Sequence, residues 1–578
     1  MKKQVLFASF FFSVFAGTAQ TITVYRGGTA TAPTYTDIKS AVSAALADDS
    51  LVLSADTFKE YYILIDKNLS LTGTITPTAK STIDATHDST AIMLQNPSAG
   101  PLVRLSLRDL DIKNGAARDN AGKGGGAVCA DAATLLVLQG HTHFYSNEAT
   151  ASAPNGGAIY SEGAVGLNGN SRLMRNSAFE NGGAIYAGAE LSLAEGSLVD
   201  SNVAGISGGG IYSLNAIQVH HATMVSRNTA QTGGGIAILH GTLSLANNSI
   251  IAANKTQFHG AGILLLNSQF SMSDSSIIGY NTTDTTYAAA IYAKGNNDLY
   301  IRGGQIIGNQ STRAGTAGLG MAVYNDSASG GSAIVSISNA RIFNPRADFS
   351  RQNELYNLHE ASAFLTDSTW WGESDTTGLF YNHPAALTSY RSWVIADWRV
   401  NNDAPVAGLS SFPVEARFRL NTGWPLAPYM FWMLQGNFAS DFGSFSPVSV
   451  PMSTVNKIGS TFTIPSVTTT ANIEAIVDAD TFRKAIWIEI VSVKENKAQA
   501  AFSVYPNPGN GDLTIKVTGN KPQRVRVLDI GGRIVYSAAA VFTDNKCRLQ
   551  LDVPSGQYLL CLEEENGSQH YEQISIRH

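Results

Sequence analysis

Charged residues make up only 15% of this 578-residue sequence, with 39 Lys and Arg against 45 Asp and Glu. No strongly basic face can be assembled from that balance, so nothing in it points to nucleic acid as a partner. Cysteine is nearly missing: Cys129, Cys547 and Cys561 are the only three. Three cysteines cannot staple a small core, and no Cys/His cluster has zinc-site spacing. Cys547 and Cys561 either pair in an oxidising compartment or stand as thiols on neighbouring strands. Beyond the first twenty residues no apolar run is long enough to cross a membrane as a helix, so none is expected in the mature chain. Phosphate-cradling loops are absent as well, because no Gly-rich run ends in Gly-Lys-Ser/Thr before a helix.

Glycine, in contrast, is abundant at 54 residues, and Ser, Thr and Asn are spread throughout. That mixture suits strands and tight turns, and the length suits several domains or one long repetitive one. The start, MKKQVLFASFFFSVFAGTAQ, has two lysines, a short apolar run and small residues at Gly17-Thr18-Ala19. It reads as a secretory signal over residues 1–19, with the mature chain beginning near Gln20. No Cys follows the apolar run, which argues against a lipid anchor.

A repeat dominates the first half of the mature chain. NGGAIY occurs at Asn155-Tyr160 and again at Asn181-Tyr186. Its relatives are GGGAV (Gly124-Val128), GGGIY (Gly208-Tyr212), GGGIA (Gly233-Ala237), GAGIL (Gly260-Leu264) and AAAIY (Ala288-Tyr292). Their anchors Val128, Ile159, Ile185, Ile211, Ile236, Ile263 and Ile291 are spaced by 25 to 31 residues. A second signature ends in Asn147, Asn176, Asn202, Asn228, Asn254 and Asn281, with fainter copies at Asn114, Asn309 and Asn344. Five residues before each of the six stands a hydroxyl: Thr142, Ser171, Ser197, Thr223, Ser249, Ser276. Three before stands an apolar residue: Phe144, Leu173, Val199, Val225, Ile251, Ile278. The short apolar runs alternate with period two, which means strands.

One such unit cannot bury its own apolar face, whereas stacked units make a continuous core. Strands stacked in register repeat every ~4.8 Å, so ten or so coils make a rod of roughly 50 Å. Register also places each Asn over the next, where side-chain amides bond along a ladder. Gly and Ala at the corner allow a tight bend and close backbone approach. The pattern resembles the right-handed parallel β-helices of the pectin-lyase-like fold, and especially the GGAI and FxxN repeats of polymorphic outer-membrane proteins. Asp37-Ala45 reads as a short helix within an N-terminal cap that shields the open end of the stack.

Downstream, TWWGESDTTG (Thr369-Gly378) resembles the segment that closes bacterial β-helices, with Trp370 and Trp371 as a lid rather than a sugar platform. Alternating runs from Phe412 to Val491 resemble an immunoglobulin-like sandwich, with YMFWMLQG (Tyr429-Gly436) in its core. The last segment opens with FSVYPNPGNGDLTIKV. It resembles the type A C-terminal sorting domain read by the type IX secretion system of Bacteroidota. The resemblance rests on Tyr505, Pro506, Asn507, Pro508, Gly511, the Gly532-Arg533 turn, and Gly556 and Tyr558 of SGQY. It implies passage across the outer membrane, with secretion machinery as partner to residues 502–578, and release or surface attachment afterwards.

The expected fold is therefore all-β: a β-helix, an Ig-like sandwich and a small sorting sandwich. Boundaries fall at 1–19 (signal), 20–370 (capped β-helix), 371–411 (closing segment and linker), 412–492 (sandwich), 493–501 (linker) and 502–578 (sorting domain). Enzymes of this fold need paired carboxylates, or a base beside them, on neighbouring coils. Within the repeats, Glu162, Glu180, Glu190, Glu195, Asp200, Asp274 and Asp284 show no aligned pair with a basic partner. Arg175 and Arg227 share one place but lie two coils apart. His141, His143, His220, His221, His240 and His259 read as turn residues rather than metal ligands. No catalytic residue, cofactor or metal is expected. The reading is an exported adhesin or binder of glycan or surface polymer on a host or neighbouring cell, with a polysaccharide lyase or glycoside hydrolase as the alternative.

Overall fold

A computed structural model describes residues 20–578 apart from 98–99, 119–121, 286, 314–317, 327–332, 345–352, 359–362, 373, 375, 383–386, 391, 401–410, 423–433, 452–456, 465–468, 479, 489–501, 519–520 and 566–568. The signal segment, the 493–501 linker and most of YMFWMLQG lie outside the described residues. The chain divides into two compact units, 1–394 with 420–422, and 395–419 with 423–578.

The first unit is a parallel β-solenoid. One coil shows the plan: Ile185–Ala187, then Leu191–Leu193, Leu198–Asp200 and Val203–Ala204. Each strand pairs in parallel with its counterpart one coil on, as Ile185 with Ile211, Leu191 with Ile217, Leu198 with Met224 and Val203 with Thr229. The first strand of each coil builds a 12-stranded sheet, the next two join a 24-stranded sheet, and the last belongs to an 8-stranded sheet. Alternate residues point inward, so Ile159, Ile185, Ile211, Ile236 and Ile263 stack as one fully buried column. No coil could bury that column alone, and stacking is what removes it from water.

The N-terminal end is closed differently. Ile22–Arg26 runs antiparallel to Asp49–Leu53, turning the first coil's edge into a paired one. The helix Ile38–Ala44 packs Ile38, Ala41 and Val42 onto the core. Asp37 caps it by accepting from the Ser40 N–H at 2.8 Å, and Glu60 accepts from the Lys39 N–H at 3.1 Å.

At the other end Trp370 and Trp371 are fully buried, and Trp371 meets Phe380 edge-on at 4.7 Å. Parallel pairing runs on past them, to Phe380–Asn382 and Leu387–Tyr390. The two tryptophans thus pack beneath one further coil.

The second unit holds antiparallel sheets. Two four-stranded sheets, drawn from Val394–Val400 through Asp480–Ile488, bury Phe412, Phe438, Phe462 and Ile473. The tail pairs Phe502–Tyr505, Asp512–Val517 and Lys546–Gln550 in one sheet, and Arg524–Asp529, Ile534–Ala539, Gly556–Glu563 and Gln569–Ile576 in another. Cys547 and Cys561 lie in these two different sheets as buried thiols, and Cys129 is a buried thiol too.

Candidate functional site

Inside the solenoid, the asparagines of the repeat form a continuous amide ladder. Asn147 Nδ2 donates to Asn176 Oδ1 at 3.0 Å, Asn176 to Asn202 at 3.0 Å, Asn202 to Asn228 at 2.9 Å, Asn228 to Asn254 at 3.1 Å and Asn254 to Asn281 at 3.0 Å. Two fainter copies extend it, Asn281 to Asn309 at 2.8 Å and Asn309 to Asn344 at 2.7 Å. The last amide donates to the buried carboxylate of Glu354 at 2.7 Å. Asn114 does not join; it turns out to Asp84, and the Gly115 N–H occupies the ladder's first step by donating to Asn147 Oδ1 at 2.9 Å. These amides are buried and are spent on one another, on the backbone and, at the end, on Glu354.

Outside, the 12-stranded sheet carries a column of tyrosines. Tyr160, Tyr186 and Tyr212 stack with ring centroids 5.0 and 5.4 Å apart. Ala237 and Leu264 take the next two rungs, and Tyr292, Tyr324, Tyr356 and Tyr381 resume at 5.6, 5.1 and 4.4 Å. His259 stacks on Tyr292 at 4.7 Å. The rings face one another. Tyr381 is exposed and Tyr160, Tyr186, Tyr212 and Tyr356 are half-buried, whereas Tyr292 and Tyr324 are buried and the Tyr292 hydroxyl donates to Asp326. Burial pushes the Tyr160 phenol up to about 12, with the nearby Glu162 carboxylate adding to it. The signal was in the hexapeptide itself, which ends in Tyr. Tyr292 ends the related AAAIY run, while Tyr324, Tyr356 and Tyr381 follow corners that no longer match the hexapeptide.

The structure overturns one expectation. Carboxylates on neighbouring coils do share a basic partner. Asp131 and Glu162, just after the paired Ala130 and Ser161, both reach Lys123 Nζ, at 2.9 and 3.1 Å. Lys123 lies in an irregular turn before the corner, whereas Asp131 stands three residues after its anchor Val128, as Glu162 does after Ile159. A second cluster sits on the first coils, before the repeat becomes regular. Lys80 Nζ bonds the Asp111 carboxylate and contacts His143 Nδ1 at 3.3 Å, while Lys113 lies 3.4 Å from Asp84. Burial pushes the Asp111 carboxyl up against the pull of Lys80. Burial also opposes ionisation of Asp84, but bonds from Asn114, the Thr86 N–H and Lys113 outweigh it and hold that carboxyl below its usual range.

His143 follows from the same cluster. Burial, with Lys80 and Arg172 nearby, lowers its pKa from 6.5 to about 4. The unfolded chain therefore takes up this proton before the folded one does. Stability contributed here is intact above pH ~6.5 and falls as pH drops toward about 4, levelling below. Gln at this position keeps an acceptor for Lys80 but does not titrate. Melting temperatures from pH 7 to 4 should fall less steeply for His143→Gln than for the parent; identical slopes would refute the assignment.

The other histidines do not join this cluster. His220 and His221 face each other through Nδ1 at 2.7 Å. Among the described residues, no group of three His, Cys, Asp or Glu is placed to hold a metal. Arg227 reaches back to Asp200 at 2.8 Å, while Arg175 is exposed.

In the tail, the motif residues converge on the last strand. Asn507 Nδ2 donates to the Gln573 carbonyl at 2.8 Å, and its Oδ1 accepts from the Ser575 N–H at 2.9 Å. The side chain thus imitates a strand neighbour, between Pro506 and Pro508. Tyr505 is exposed, whereas Tyr558 is buried with its hydroxyl on the Pro554 carbonyl at 2.7 Å. Gly556 pairs with Ile576. Gly511, at φ +99°, leaves no room for a Cβ beside the Leu551 carbonyl. Gly532, at φ +78°, turns the hairpin over Asp529.

Residues 503–577 match the family described as the secretion system C-terminal sorting domain. The chain is thus a β-solenoid protein with a sorting tail, marked for export to the cell surface or the medium. No curated protein matches it. Among solved structures, the adhesin InvE of Yersinia pseudotuberculosis is similar at 14% identity over 32% of this chain and 59% of that one, with a TM-score of 0.13. An intimin fragment in complex with its receptor's binding domain gives 10%, 31%, 63% and 0.15. The Bacteroides ovatus protein SGBP-B, in complex with a mixed-linkage heptasaccharide, gives 12%, 33%, 48% and 0.11. The match spans less than two-thirds of each of these chains, and likeness at such TM-scores carries no functional argument. Among the described residues, no helix is long and apolar enough to cross a membrane.

Proposed function

We propose that this protein is a non-catalytic adhesin, or a binder of glycan or surface polymer, delivered through the type IX secretion system. The observation that supports it most is the outer column of the 12-stranded sheet, where seven tyrosines stand on a rigid backbone in fixed register. On the partly exposed rungs, Tyr160 to Tyr212 and Tyr356 to Tyr381, ring edges and hydroxyls recur at ~4.8 Å and suit a repeating polymer better than a single small molecule. In this reading residues 1–19 are the signal, 20–370 the capped solenoid and 371–411 its closing segment and linker. Residues 412–492 form an Ig-like spacer, and 493–501 is the segment cut when 502–578 is removed.

A polysaccharide-degrading enzyme is the second reading, favoured by Asp131 and Glu162 on adjacent coils. Lys123 stands between their carboxylates and engages both, which ranks this reading below the first. One screen separates the two. The purified secreted protein is passed over a polysaccharide panel, scoring retention and product release. Retention without product supports the binder. Product with turnover that disappears in Glu162→Gln establishes the enzyme instead.

A further inference from the structure

The outer surface also holds a polar cleft of about 450 Å³ where the 12-stranded sheet turns into the 24-stranded one. That volume falls within the ~300–1,000 Å³ of small-molecule sites. The chain makes this corner in three residues between Ile211–Ser213 and Ile217–Val219, then in two from Ile236–Leu239 to Thr242–Leu245. The tighter corners need left-handed residues, supplied by His240 at φ +56°, Asn267 at φ +49° and Gly295 at φ +85°.

The floor is built and satisfied. Asn297 and Ser268 are each 2% exposed. Asn297 Oδ1 accepts from the Ser268 N–H at 2.9 Å and Ser268 Oγ donates to the Leu266 carbonyl at 2.8 Å. The walls are different. Thr242, Gln269 and Asp298 are paired rung on rung, so they form one column along the solenoid axis. Successive rungs lie ~4.8 Å apart, and the three groups span roughly 10 Å. Among the described residues, none of these side chains, nor that of His240 beside them, has a hydrogen-bond partner.

We infer that this cleft binds a neutral glycan, a mono- or disaccharide-sized stretch of the polymer at a time. The inference rests on the binder reading above and gives it a place and a chemistry. A hydroxyl, an amide, an imidazole and a carboxylate together offer donors and acceptors of every kind that vicinal hydroxyls require. Among the described residues no Lys or Arg lines the cleft, so a polyanion finds no countercharge there. The described lining contains no Phe, Tyr, Trp or large aliphatic side chain, which disfavours an apolar ligand.

The test uses the full secreted chain in affinity electrophoresis through gels of soluble β-glucan, mannan or xylan, with polygalacturonate as the anionic comparison. Retention by at least one neutral polymer is expected. Gln269→Ala together with Asp298→Asn should weaken it about tenfold, the equivalent of losing two hydrogen bonds. Gln218→Ala, on an exposed position outside the cleft, should not change it. Circular dichroism of each variant reports whether the fold is kept. Equal retention of parent and cleft variant overturns the cleft while leaving the binder reading standing, and so does retention by polygalacturonate alone. A parent retained by no polymer overturns both.

Discussion

Asn228→Leu is expected to lower the unfolding free energy of the solenoid by about 3–5 kcal/mol. Asn228 is fully buried and serves four groups at once. Its Oδ1 accepts from the Asn202 backbone N–H and from Asn202 Nδ2, both at 2.9 Å. Its Nδ2 donates to the Val199 carbonyl at 3.0 Å and to Asn254 Oδ1 at 3.1 Å. Leucine has a similar volume, so the loss measures polar satisfaction rather than a cavity. Asn202 Nδ2 keeps the Leu173 carbonyl and Asn254 Oδ1 keeps the Asn228 N–H. The Asn202 N–H and the Val199 carbonyl lose their side-chain partner in the dry interior, at about 1–3 kcal/mol for each group left unsatisfied. Urea unfolding followed by circular dichroism measures the change against Ser177→Ala, an exposed substitution expected to stay within about 0.5 kcal/mol. If the Asn228→Leu protein fell within about 1 kcal/mol of that control, on the order of experimental error, the ladder would be ornamental. Because each coil touches only its neighbours, hydrogen exchange should quicken first in the strands beside Met224–Ser226.

The ladder was legible in the sequence because it depends on one residue type at one register. The N-terminal helix was legible for a similar local reason, Asp37 standing ahead of an apolar i, i+3, i+4 face at Ile38, Ala41 and Val42. What stayed hidden depends on distances that no repeat fixes. Lys80 and Asp111 are 31 residues apart on coils without a GGA corner, and Lys123 reaches Glu162 across 39. Searching the repeats for acids could not find partners that enter from irregular turns. The cleft is hidden for another reason: it arises where a corner linker shortens by one residue, and its walls are ordinary turn residues in sequence. The tyrosine column was half visible, as the last letter of the repeated hexapeptide. Asn114 illustrates the opposite error, a ladder position by pattern that the backbone passes over by one residue.

Gly182→Val should cost about 3–5 kcal/mol or prevent the central coils from forming. Gly182 is the first glycine of the second NGGAIY, at φ +69°, where a β-branched side chain is strained in itself. A Cβ there would also stand 2.2 Å from the Ile185 carbonyl oxygen, and the backbone cannot yield without moving the next rung. The same corner position has positive φ in Gly125, Gly156, Gly208, Gly233, Gly260 and Gly320, and in an alanine, Ala288 at φ +47°. That alanine shows that one coil accommodates a Cβ here, but at Gly182 the same clash adds to the about 1–2 kcal/mol of a left-handed alanine. Gly182→Ala should cost more than that and less than valine, whose β-branch adds further strain. Thermal melts of the two variants should therefore separate clearly, with Val the lower. Melting temperatures of both variants equal to the parent's would mean the corner relaxes freely and that steric closeness does not hold the coils at their spacing. If the two do separate, the repeated hexapeptide is a spacing device. Its glycines bring successive backbones together, its isoleucine fills the core, and its terminal tyrosine is the part left facing out.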